Sequence, residues 1–188
     1  MKTPLLILSV LILLAGCATP PPTGIPDLSR RSIAETKSVE FGGKIFVLKF
    51  HKEGLWEYFP AEESVDTWNE MVDFTVVPRE MNRFKPLDLA KRAIQLHQQE
   101  NPNSPAILLT DNKTGIDYSM QFYPTSLRKD GKFSEISYFK YYRDGATGQT
   151  IIFHFARNIP TPSDPDQSAI ETGREIVPLI EAFPLYRP

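Results

Sequence analysis

The chain has 188 residues, with 21 Lys and Arg against 23 Asp and Glu, for a net charge of −2. That balance offers no basic excess for nucleic acid or for anionic headgroups, and excludes nucleic-acid binding as a leading reading. A single cysteine excludes a disulfide framework and cysteine-rich metal sites, so any folded domain relies on one hydrophobic core.

In chain order, Met1-Lys2-Thr3 carries one positive charge and Leu5–Leu14 is a short apolar run. Secretory apolar regions run about 7–15 residues, whereas a membrane-spanning helix needs about 20. Residues 1–16 therefore read as a signal peptide, not a span. Leu14-Ala15-Gly16-Cys17 resembles a bacterial lipobox, in which small residues precede a cysteine that is cut free and acylated. The resemblance implies a diacylglycerol thioether on Cys17, commonly with a third acyl chain, and hence a partner in the membrane. Ala18 follows the cysteine in place of aspartate, which resembles the outer-membrane sorting signal of enteric-type bacteria. The implied location is the cell envelope, at the outer membrane facing the periplasm. Loss of Lys2 with the signal moves the net charge to −3.

Residues 17–38 hold Pro20-Pro21-Pro22, Pro26 and Arg30-Arg31 with no sustained apolar period. They read as a tether, reaching about 60 Å if fully polyproline-like. Residues 39–188 read as one domain. Lys44–His51 alternates Phe46, Leu48 and Phe50 with other residues and predicts a strand; Leu55–Phe59 predicts a second, stopped by Pro60. Ser64 predicts a cap for a short helix over Val65–Met71, with Phe74–Val77 a third strand. Pro86 opens a helix over Leu87–Glu100, with rows Leu89, Ala93, Leu96 and Ala90, Ile94, His97.

Ala106–Thr110 predicts a fully apolar strand. Ile116, Tyr118, Met120 and Phe122 alternate with Asp117, Ser119 and Gln121, which predicts a strand with one buried face. Asp130-Gly131 marks a turn. Ile136–Arg143 and Thr150–Arg157 form a hairpin around Asp144–Gly148. Ser163 or Asp164 caps a last helix with Ile170, Gly173, Val177 and Ile180 in helical spacing, which Pro178 is expected to kink or interrupt.

The expected fold class is α+β: a mainly antiparallel sheet of six to seven strands covered by helices. This order resembles the PsbP-like α/β/α sandwich of small exported lipoproteins and of photosystem and nuclear-transport accessory proteins, and the stretch Glu57-Tyr58-Phe59-Pro60, Ser64 and Trp68-Asn69-Glu70-Met71-Val72 resembles a segment recurring in uncharacterised bacterial lipoproteins. The resemblance implies a binding or accessory role and carries over no functional residue.

His51, His97 and His154 fall in separate elements without metal-ligand spacing, so no metal or cofactor is expected. No G-x-S-x-G occurs, Ser119 and Ser137 sit in mid-strand, and Glu62-Glu63 and Asp164 with Asp166 fit helix starts. Gly42-Gly43 leads into a strand, unlike a phosphate loop. Catalytic residues are expected to be none. The remaining surplus is aromatic. Tyr138 and Tyr142 face one side of their strand and Tyr141 the other; Trp56, Tyr58 and Trp68 form a second group. These six make the candidate interaction surface, since tyrosine and tryptophan suit interfaces. The leading expectation is a non-enzymatic envelope lipoprotein that binds a protein partner. The alternatives are a module for a small apolar or aromatic ligand, and an envelope hydrolase.

Overall fold

The computed structural model describes residues 30–111, 114–126 and 132–188. The expected lipobox of Leu14, Ala15, Gly16 and Cys17, and the expected Asp130-Gly131 turn, lie outside them.

One eight-stranded antiparallel sheet organises the domain. Its strands are β1 (Ser38–Phe41), β2 (Lys44–Lys52), β3 (Leu55–Pro60), β4 (Glu70–Val76), β5 (Ala106–Asp111), β6 (Ile116–Tyr123), β7 (Phe133–Arg143) and β8 (Thr150–Pro160). Their order is β1-β2-β3-β4-β8-β7-β6-β5: two four-stranded meanders joined where β4 pairs with β8. Helix α1 (Pro86–Glu100) crosses from the first meander to the second, and helix α2 (Pro165–Ala182) closes the chain. The fold is α+β with an antiparallel sheet and helices, as expected, but with eight strands where six to seven were read.

The added strand is β1. Gly42 and Gly43 both adopt positive φ, 57° and 75°, and form the two-residue loop that pairs Phe41 with Lys44. Residues 30–37, which the sequence places in the tether, lie against the domain. Ile33 is fully buried, its amide donates to the Arg187 carbonyl at 2.9 Å, and Ser32 bridges Arg187 in parallel.

The helix expected over Val65–Met71 is absent. Thr67 makes a single turn back to Ser64 at 3.1 Å, and β4 already starts at Glu70. The reason lies in Glu63, whose carboxylate accepts the Asn69 amide at 2.7 Å and the Glu70 amide at 3.2 Å. Those donors are bound by a side chain, and Met71 is free to enter the ladder opposite Ala156.

Helices cover opposite faces. Ala169, Ile176 and Ile180 of α2 pack with Phe74, Tyr138, Phe153 and Phe155 in the main core, closed by Phe183 and Tyr186. Pro178 is exposed and α2 runs unbroken through it, so the expected interruption does not occur. Asp164 caps α2 through the Gln167 amide at 3.0 Å. Helix α1 lies over β5, β6 and β7 on the other face, where its buried His97 meets Tyr123 edge-to-face at 4.7 Å. That placement corrects the one-sided reading of β6. Asp117, Ser119 and Gln121 are buried beneath α1 while Met120 and Phe122 are buried on the α2 side. Strand β5 deviates in the opposite sense: Ile107 and Leu109 are 47% and 50% exposed, although the strand reads as fully apolar.

Candidate functional site

Of the six residues in the candidate interaction surface, five are buried: Tyr58, Trp68, Tyr138, Tyr141 and Tyr142. The expected alternation holds, but both faces of the strand are covered. The Tyr142 hydroxyl donates to the Tyr186 carbonyl at 3.1 Å and accepts from the Tyr186 amide at 2.9 Å, pinning the chain after α2. Tyr58 donates to the Thr36 carbonyl at 3.2 Å. Tyr141 faces the α1 side and bonds Ser119 at 3.3 Å. Trp68 packs with Phe59, Met71 and Ala156. Trp56 alone is half-exposed, stacked on the exposed His51 at 4.5 Å. These aromatics hold the fold and do not form a surface.

The structure assembles a different group, which the sequence reading did not single out. Strand register aligns Glu57 with Asp73, Asp73 with His154, and His154 with Phe139, a row across β3, β4, β8 and β7. Asp73 and His154 are buried and joined by an Nδ1–Oδ2 bond of 2.6 Å, and Phe139 stacks flat on the imidazole at 4.2 Å and 5°. Glu135 lies close enough to act on His154 electrostatically, and its carboxylate accepts the Ser137 hydroxyl at 2.7 Å.

Burial disfavours a charged imidazole, but the Asp73 carboxylate and its hydrogen bond, with Glu135 and Glu57 beyond, outweigh it and raise the His154 pKa. Burial is also the main reason that Glu57 is pushed up to about 7, helped by the Asp73 charge and opposed by His154. Burial raises Glu135 too, against the Ser137 bond that favours its charge. Chemically the row is a proton-holding ion pair with two reluctant carboxylates beside it. The hydroxyls nearest in register are committed: Ser137 to Glu135 and Ser119 to Tyr141. Among the described residues no group of three His, Asp or Glu side chains has metal-binding geometry. The signal in the sequence was faint: single carboxylates inside otherwise apolar strands, as in Met71-Val72-Asp73-Phe74.

One consequence is testable by pH. A carboxyl whose folded pKa exceeds its unfolded value destabilises the fold progressively as pH rises through that interval. For Glu57 the interval runs from 4.5 to about 7. Discounted for partial exposure, the cost of its ionisation is about 1–2 kcal/mol. Glu57→Gln is expected to raise the thermal midpoint at pH 8 and leave it unchanged at pH 5; an equal gain at both pH values contradicts the assignment.

The accessible counterpart is a groove of about 550 Å³ where β2, β3, β4 and β8 end, lined by Lys44, Ile45, Pro60–Glu63, Asn69, Glu70, Arg157 and Asn158. Glu70 accepts Lys44 at 2.6 Å and Arg157 Nε at 2.8 Å, and Arg157 forks onto both Glu175 oxygens at 2.9 Å. The Lys49 ammonium donates to the carbonyls of Pro60, Ala61 and Glu63, so the segment leading from β3 to β4 is pinned at several points. Ile45, 66% exposed, stands on the rim. This is a preorganised, charge-patterned edge with an apolar projection.

A protein-family model matches residues 33–180, and the chain belongs to that family. No curated protein matches the sequence. Among solved structures, the Saccharomyces cerevisiae Ran-binding protein Mog1p is similar at 12% identity, with 78% of this chain and 91% of that chain covered and a TM-score of 0.47. A Mog1 point mutant is similar at 12% identity, with 78% and 92% covered and a TM-score of 0.46. Human STARD10 is similar at 12% identity, with 72% and 69% covered and a TM-score of 0.36.

Proposed function

We propose that this family member is a membrane-anchored envelope lipoprotein whose domain, a PsbP-like α/β/α sandwich, acts as a non-enzymatic accessory module docking a protein partner. The observation that carries this reading is Leu14-Ala15-Gly16-Cys17 directly after a short apolar run. Two or three acyl chains give stable attachment where one alone anchors marginally. With residues 30–37 packed on the domain, residues 18–29 remain as tether, a reach of about 37 Å when polyproline-like.

Binding is favoured over catalysis by how the Asp73–His154 pair is built. It is buried, capped by Phe139, and its neighbouring hydroxyls already have partners. A general base must reach the proton it abstracts from a substrate, and this imidazole is closed in. The apolar-ligand alternative loses its support because the aromatic rings it relied on are packed into the core, as in the edge-to-face Tyr58–Phe74 contact at 5.9 Å. Docking belongs to the groove around Ile45, where charged pairs set orientation and an apolar residue supplies contact area.

Two measurements test the reading. Cys17→Ser is expected to abolish acyl labelling and move the protein from the membrane to the soluble fraction. A photo-crosslinking residue at Ile45 is expected to trap one defined envelope protein, and one at Ile170 on exposed α2 to trap none. Acyl labelling that survives Cys17→Ser, or identical products from both positions, overturns it.

A further inference from the structure

The sheet has two edges, and they are built differently. Strand β1 is short, carries Glu40 and follows Lys37, features that discourage a further strand. Strand β5 is six residues long, has no charge, proline or glycine from Ala106 to Thr110, and among the described residues has a strand neighbour on one side only. Its Ile107 and Leu109 are about half exposed on the α2 side of the sheet, beside the partly buried Ile116 and Tyr118.

The backbone pattern is equally open. The Phe122 amide donates to the Pro105 carbonyl at 3.0 Å, so residue 105 points its carbonyl at β6. In an antiparallel ladder such residues alternate. Residues 107, 109 and 111 then face β6, and the amides and carbonyls of Ala106, Leu108 and Thr110 face outward.

We infer that β5 pairs with β5 of a second copy of this chain, antiparallel about a two-fold axis through Leu108. A symmetric pair sets each residue opposite one whose number completes a constant sum. When Leu108 faces Leu108, Ala106 faces Thr110, and all outward amides and carbonyls meet partners. In the same register Ile107 faces Leu109 of the other copy on the α2 side, giving an apolar stripe of four side chains with no charge opposite a like charge. The chain's own residues 18–29 are an unsuitable occupant, because Pro20, Pro21, Pro22 and Pro26 lack the amide hydrogens a strand must donate.

A six-strand-residue contact falls at the low end of interface size, so pairing in dilute solution is weak. Tethering to one membrane supplies the second copy at millimolar effective concentration. This last step rests on the anchored reading above.

Cys17 is the sole cysteine and is acylated in that reading, so an introduced thiol reports without background. Leu108→Cys places two thiols across the axis at a Cα separation of about 5.5 Å, within disulfide range. Oxidising membranes from cells making the full chain is expected to give a covalent dimer joined 108 to 108. Ile45→Cys, at the other end of the sheet, is expected to give none. Adding Leu109→Lys to Leu108→Cys is expected to abolish the dimer while the circular dichroism spectrum stays unchanged. Dimer from both positions, or a disulfide to a different protein, overturns the inference. Purified mature chain carrying Cys17→Ser and Leu108→Cys, oxidised at millimolar concentration, separates the two readings. Dimer there but not in membranes supports the strand pairing and counts against the anchor; dimer in neither overturns the pairing.

Discussion

Asp73→Ala is expected to destabilise the domain by about 3–5 kcal/mol, the usual cost of leaving one member of a buried ion pair without its partner. His154 is then a buried imidazole that must give up its proton or leave its Nδ1–H unbonded, since Asp73 holds that nitrogen at 2.6 Å. The site lies between β4 and β8, the ladder that joins the two meanders, so the loss falls on the centre of the sheet. The sign of the pH dependence follows from the raised His154 pKa. A base whose folded pKa exceeds its unfolded value contributes its full stabilisation below the unfolded pKa, about 6.5, and loses it as pH rises through the folded value. The gap between wild type and Asp73→Ala in urea denaturation is therefore expected to be larger at pH 5.5 than at pH 9. Asp73→Leu combined with His154→Leu is expected to recover much of the loss, because removing both charges removes the orphan. A gap that widens with pH, or a double variant no better than the single, contradicts the pairing.

The second large effect is at Lys140. This lysine sits on the core side of β7, 2% exposed, and its ammonium donates to the carbonyls of Ile180, Glu181 and Phe183 at 3.1, 3.2 and 2.6 Å. Helix α2 has no basic residue in its own last turn, so Lys140 supplies from the sheet the positive charge that the carbonyl end of a helix favours. Burial pushes its pKa down to about 8, which leaves it charged at neutral pH. Lys140→Ala is expected to cost about 3–5 kcal/mol, through a cavity and the lost bonds to three carbonyls; Lys140→Met, which keeps the stem volume, about 2–3 kcal/mol. Hydrogen exchange adds a local readout: both variants are expected to lose protection first in the last turn of α2 and in the Tyr142–Tyr186 contact. Equal destabilisation by Ala and Met assigns the effect to the bonds; an unaffected α2 terminus contradicts the capping role.

These two residues show where sequence reading reaches its limit. Lys140 lies in Tyr138-Phe139-Lys140-Tyr141-Tyr142, where the alternation states which residues share its face but not that the face is buried. Asp73 and His154 are 81 residues apart, in strands adjacent only because the second meander folds back onto β4. Glu57, Glu135 and Asp117 share that property: each is a carboxylate whose environment depends on what lies above the sheet. The short helix over Val65–Met71 failed for a local reason that periodicity does not register, the Glu63 side chain capturing the amides that β4 begins from.

By itself the sequence determined the local elements. Periods of two set β2 and β6, the Asp144–Gly148 turn set the β7–β8 hairpin, and the Pro86 and Asp164 starts set α1 and α2, because backbone geometry and turn chemistry act over a few residues. The proposed export motif at Cys17 likewise rests on adjacent residues. Tertiary structure alone decided burial and pairing. Where α1 and α2 land determines that Tyr138, Tyr141 and Tyr142 are core, that the polar face of β6 is covered, and that β5 keeps an open edge. The physical reason is that alternation divides residues between two faces, whereas the free energy of each face depends on what shields it from water.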